Sequence, residues 1–159
     1  MEHEILAKDL LGIADHMLAA RIAAAGKDLA SAQRHYEQAI AIHDRFNYIE
    51  PPEWPFPVRE SLGAMLLQAG SALEAEKVFR EDLMLHPRNG RSLFGLMESL
   101  KAQNKDEAAR LIEMEFKPAW KNADVELNID ELELGSSRAG TRAANSTGYT
   151  RLKASLPLL

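Results

Sequence analysis

Along the first 120 positions, apolar residues recur every three to four places, the spacing of helices that bury one stripe. The stretch "LGAMLLQAG" at residues 62–70 sets the pattern: Leu62-Gly63, then Leu66, then Gly70. The same spacing returns as Leu18-Ala19, Ile22, Gly26, and again as Leu96-Met97, Leu100, Asn104. Each set predicts an amphipathic helix closed by a residue that tolerates left-handed backbone. A second helix follows each one. Ala75, Phe79, Asp82-Leu83 and Pro87 have counterparts in Ala32, Tyr36, Ala39-Ile40 and in Ala108, Ile112, Glu115-Phe116. The small residue lets two backbones approach, and the larger one fills the space between helix pairs. Ser71-x-x-Glu74 predicts a capping box at the start of the middle second helix, and Pro87 marks where that helix has ended.

With those positions in place, Leu62-Gly63-x2-Leu66-x3-Gly70-x4-Ala75-x3-Phe79-x7-Pro87 resembles a tetratricopeptide repeat. Leu62 recurs as Leu96, and Gly70 as Asn104, at a common spacing of about 34 residues, the period of that repeat. The resemblance implies an all-α superhelix of about three helix-turn-helix repeats, near 5–46, 57–88 and 90–121, in a helical domain of residues 1–134. More narrowly, "EPPEWPFPVRESLGAMLLQAG", "EAEKVFREDLMLHPRNG" and "AWKNADVEL" are similar to the C-terminal part of a bacterial tetratricopeptide-repeat family of poorly defined function. Members of that family usually carry aromatics where Pro55 and Phe56 stand, and Trp where this chain has Arg91. Longer members have further repeats upstream with a His-rich motif that is missing here, so nothing tied to that motif transfers.

In such arrays the first helix of each pair lines a concave groove that meets peptide ligands. By repeat position, the resemblance assigns Ile13, His16, Ala20 and Ala23 to that groove. Glu60, Ala64, Leu67 and Gln68 follow, then Arg91, Phe94, Glu98 and Lys101. The set lacks the Lys/Asn cluster that clamps a C-terminal carboxylate. It leaves open an extended or helical peptide along the groove, or occupation by the chain's own segment or a second subunit.

Residues 50–60, "EPPEWPFPVRE", interrupt the helical pattern with four of the seven prolines. Pro57 falls at the start of the next helix, where a missing N–H costs nothing. Pro51-Pro52 stop the preceding helix. Trp54 and Phe56 can plug the seam between pairs, and Arg59 is placed to pair with Glu50 or Glu53. We read this stretch as an inter-repeat joint; an exposed Trp54 indole would instead favour an anchor for a partner.

Charge sharpens the picture. Net charge is −5, yet all 24 carboxylates lie at or before Glu133 with 15 of the 19 basic residues, so the body carries −9. An acidic body has no basic stripe for nucleic acid. The tail, residues 135–159, is rich in Gly, Ser, Thr, Ala and Arg without a helical stripe, and predicts disorder. "VELNIDELEL" between them suits a cap over the array end. With no apolar run of membrane length and no signal-peptide layout, the expectation is a soluble, cytoplasmic chain.

Catalytic chemistry finds no foothold. Cysteine is absent, which removes thiolates and Cys-based zinc sites. His35 and His43 share a helix face but stand about 12 Å apart, too far for one metal ion. His16 can meet His35 only through tertiary packing. No HExxH, phosphate loop or GxSxG occurs. Carboxylates such as Glu81-Asp82 and Glu113/Glu115 sit among basic neighbours as solvated helix faces. The sequence therefore predicts no enzyme, metal or cofactor. The leading expectation is a protein- or peptide-binding scaffold; the alternative is a self-association module or the terminal cap of a larger array.

Overall fold

The computed structural model describes residues 7–46, 54, 55 and 57–134. The regular elements among them are all helices: α1 (Ala7–Ala25), α2 (Leu29–His43), α3 (Val58–Gln68), α4 (Ala72–Leu85), α5 (Gly90–Ala102), α6 (Asp106–Trp120) and the short α7 (Ile129–Leu134). Glu50, Glu53, Phe56 and the 135–159 tail lie outside the described residues. Each of α1 to α6 packs on the next in sequence, α3 also touches α5, and α7 folds back onto α3 and α5. No described helix is long and apolar enough to cross a membrane.

Three turns of the same design join α1–α2, α3–α4 and α5–α6. In each, one residue takes positive φ: Lys27 (63°), Gly70 (83°) and Asn104 (58°). The next amide reaches back to a carbonyl inside the first helix, as Asp28 N–H to Ala23, Ser71 N–H to Leu66 and Lys105 N–H to Leu100. These bonds satisfy the orphan carbonyls at the helix C-termini. The first turn corrects the sequence reading, because its left-handed residue is Lys27 rather than Gly26. Every assignment on α1 that was aligned through Gly26 moves by one place. A second shift occurs in α6, where Ala109 is buried at 3% exposure and Ala108 only half-buried. It follows because α4 and α6 begin one repeat period apart, at Ala72 and Asp106, which sets Ala109 rather than Ala108 opposite Ala75.

The core is continuous through the stack. Phe79 of α4, fully buried, lies between α3 and α5. A Cβ added to Gly63 would come 2.6 Å from its ring, and one on Gly95 would come 2.2 Å. Both glycines are thus present for close approach, and one aromatic locks two helix pairs together. Burying a side chain of this size contributes roughly 2–3 kcal/mol. Tyr36 fills the corresponding position of the first pair and is also fully buried. α3 carries the densest packing, with Val58 and Glu60 to Leu66 all buried.

Candidate functional site

The joint before α3 is built from contacts that spacing alone did not reveal. Pro57 caps α3 from just outside it, with α3 beginning at Val58. Glu50 and Glu53 lie outside the described residues, and Arg59 finds a carboxylate at the end of α2. Its two terminal nitrogens donate to both carboxylate oxygens of Asp44, at 2.6 Å each. This bidentate pair ties α3 to the end of α2 and holds the guanidinium even more firmly protonated than usual. Trp54 is half-buried and packs on the core with its indole nitrogen covered. The predicted capping box is not made: Ser71 occupies the N-cap of α4 without a side-chain cap bond. Its counterpart Asp28 does cap α2, accepting from Ser31 N–H at 3.1 Å. The Ser31 hydroxyl first, and then this amide bond, hold the Asp28 carboxyl below its ordinary range.

The candidate groove residues fall into three groups. Ile13 and Ala20 are fully buried in the core, and Ala23 packs half-buried against it. The middle group meets α7. Gln68 Nε2 donates to Asp130 at 2.8 Å, and Ser61 Oγ donates to the Leu132 carbonyl at 3.4 Å. Leu132 itself is completely buried, Ala64 likewise, and Leu67 packs half-buried on the same core. The chain's own α7 therefore covers this part of α3.

In the third group the charged residues are satisfied within the molecule. Arg91 Nε donates to Glu60 at 2.6 Å, and Lys101 donates to Glu98 at 2.7 Å. Phe94 turns toward Phe116 of α6, ring centres 5.8 Å apart, and Phe116 stacks on Trp120 at 6.2 Å. Trp120 in turn lies over Gly90, whose Cβ would meet its ring at 2.6 Å.

Behind Glu60 lies a buried polar cluster that sequence reasoning missed. Glu60, Asp82 and Ser92 are all essentially inaccessible. Asn89, in the α4–α5 loop, donates through Nδ2 to Glu60 (2.7 Å) and Asp82 (3.1 Å), while its Oδ1 caps α5 at Arg91 N–H. Ser92 Oγ donates to Asp82 at 2.5 Å, and His86 Nδ1 lies 3.0 Å from the other Asp82 oxygen. Burial pushes the Glu60 carboxyl up, against the pull of Arg91 and Asn89. Ser, His and Asp meet here, but the hydroxyl points to the carboxylate rather than to the imidazole. Nothing in the arrangement activates Ser92 as a nucleophile. The signal in sequence was the polar run "HPRNG" between two helices, which reads as an ordinary turn.

A second anchor sits where α4 meets the end of α5. Glu76 accepts from Arg80, from Gln103 at 2.8 Å and from Lys105 at 2.8 Å. The bond from Lys105, followed by those of Gln103 and Arg80, holds its carboxyl down to about 2. A cleft of about 430 Å³ opens between α2, α3 and α4, floored by Ile40, Leu62, Leu66 and Val78 and rimmed by carboxylates including Glu37 and Glu74.

Among the described residues no three His, Asp or Glu side chains come together as a metal-binding group. The groove candidate His16 of α1 instead meets His35 of α2, Nδ1 to Nδ1 at 3.3 Å. Compared with protein-family models, curated proteins and solved structures, the chain matches none.

Proposed function

We propose that this chain is a non-catalytic scaffold of the tetratricopeptide type, in which the face of α3 receives a short amphipathic helix. The observation that carries this reading is α7. It lays Leu132, fully buried, onto α3 and fixes its direction with the Gln68–Asp130 and Ser61–Leu132 bonds. A six-residue helix has little stability of its own, so α3 supplies most of what orders it. The chain thus carries an example of the ligand its face accepts, apolar at Ile129 and Leu132 with a polar bond at Asp130. An outside partner of that pattern competes with α7 for the site, the helix-in-groove mode of recognition.

The test is exchange in trans. Leu132→Asp places a charge in a fully buried position and detaches α7. A labelled peptide of residues 127–135 is expected to bind that variant and to bind the parent chain at least ten-fold more weakly. Fluorescence anisotropy reads both. Equal binding to parent and variant, or none to either, removes the α3 face from the account.

A second reading has an observation of its own. Leu11, Leu18 and Ile22 of α1 are 70, 59 and 66% exposed along one stripe. At the other end, the position in α6 that matches Phe79 is the polar Glu113, paired with Lys117 at 3.1 Å. α6 at that end also leaves Leu111 and Met114 exposed, at 64 and 70%, so both end helices carry uncovered apolar side chains, which suits a terminal cap or a self-association module. Multi-angle light scattering across a concentration series separates the two readings, since a monomer at all concentrations disfavours self-association.

A further inference from the structure

The cleft between α2, α3 and α4 joins an apolar floor to a rim of mostly one sign. Half-buried Ile40 and Val78 join Leu62 and Leu66 in the floor. Four exposed carboxylates, Glu37, Asp44, Glu74 and Glu81, line it against the ammonium of Lys77. Asp44 is paired with Arg59, and Glu37 accepts from the neutral amide of Gln33 at 2.9 Å. Among the described residues, Glu74, Glu81 and Lys77 make no ion pair, so the rim carries excess negative charge. The cleft is separate from the α7 contact. Leu62 and Leu66 lie roughly a third of a turn around α3 from Ser61 and Gln68, which hold α7.

The chain itself carries a segment of matching chemistry. Residues 135–159 hold four basic side chains, Arg138, Arg142, Arg151 and Lys153, and no Asp or Glu. In "RLKASL", residues 151–156, two cations stand next to Leu152, with Leu156 shortly after. We infer that residues 151–156 dock in the α2–α3–α4 cleft of their own chain. Arg151 and Lys153 meet the carboxylates of Glu37, Glu74 and Glu81, and the two leucines cover the floor. Reach is sufficient. Arg151 follows Leu134 by 17 residues, which can span up to roughly 55 Å, whereas a helix with its side chains is about 10–12 Å across. Exposed ion pairs are individually weak. A tethered segment, however, acts at an effective concentration in the millimolar range, so modest contacts hold it in place.

The experiment uses paramagnetic broadening in the full chain. Because the chain has no cysteine, Ser155→Cys accepts one nitroxide label. Amides beside the cleft, such as those of Ala41 and Val78, are expected to lose at least two-fold in signal intensity, while those of α6 keep theirs. Glu74→Lys with Glu81→Lys is expected to abolish the loss. Adding Arg151→Glu and Lys153→Glu to that variant is expected to restore it, which a merely misfolded α4 would not allow. Circular dichroism checks that each variant keeps its helix content. A mixed sample, with the spin label on one chain and the isotope on another, is expected to show no loss. Equal loss in the mixed sample would mean that the segment seats on a second copy. That outcome, loss spread over all helices, or loss unchanged by the charge reversals overturns the docking.

Discussion

At the residue scale, Glu76 separates packing from charge. Its folded-state pKa is drawn from 4.5 to about 2 by the Lys105, Gln103 and Arg80 bonds. A depressed carboxylate contributes stability that is present above its unfolded value and lost as pH falls toward the folded one. The window therefore runs from pH 4.5 down to about 2. Because Arg80 and Lys105 are about half exposed, solvent screening reduces the full linkage value to roughly 1–2 kcal/mol. Glu76→Gln is expected to lose that amount at neutral pH and to converge on the parent chain at the acid end of the window, read by urea denaturation at each pH. An equal deficit at both ends would show that shape rather than charge matters at this position.

The turn residues give a second residue-scale prediction. Gly70 sits at φ 83° with open space where a Cβ would go, so Gly70→Ala meets backbone strain but no collision. The expected cost is about 1 kcal/mol. Lys27 already bears that strain at φ 63°, so Lys27→Gly is expected to be neutral or to stabilise by up to about 1 kcal/mol. Thermal unfolding of the two variants tests the pair, and stabilisation by Gly70→Ala would refute the shared turn design. Gly26 drew the sequence reading one place too early because glycine is the usual marker for this conformation. The chain places lysine there, which local composition does not announce.

At the element scale, helix existence was legible because apolar spacing and helix-ending residues agree along the chain. The pairing of elements was not. Among the described residues Arg59 pairs with Asp44, fifteen residues back and brought close by the return of α3 along α2, a partner that sequence proximity does not suggest. α7 is too short for a period of 3.6 to declare itself, and its ordering depends on α3. The seam residue Phe79 was visible as a large residue at the right place, but its two glycine walls come from different helices, and only Gly63 belonged to the repeat pattern.

That seam is testable. Gly95→Ala would drive a methyl into the Phe79 ring, and overpacking of this kind costs roughly 1–3 kcal/mol. Replacing the ring with a smaller side chain should relieve it. Gly95→Ala combined with Phe79→Leu is expected to be less destabilised than the sum of the single changes, by about 1 kcal/mol or more. Additive losses in a denaturation series would mean that the two residues do not press on each other.

At the scale of the molecule, burial is distributed as in a one-dimensional stack. α3 has eight buried positions and α5 seven, whereas α1 has three and α6 only Ala109. Inner helices touch neighbours on several sides, and outer ones touch them on one. In such a stack, protection tracks the number of interfaces, so the ends open before the middle. The polar cluster of Glu60, Asn89, Asp82 and Ser92 strengthens this gradient, because separating α5 from α3 would leave buried charges without partners. Native-state hydrogen exchange is expected to show the slowest amides in α3 and α5, exchanging only through global unfolding. The amides of α1 and α6 should exchange through smaller openings, with a weaker dependence on denaturant. Protection in α1 equal to that in α3 would mean that something other than the described helices covers its exposed Leu11, Leu18 and Ile22.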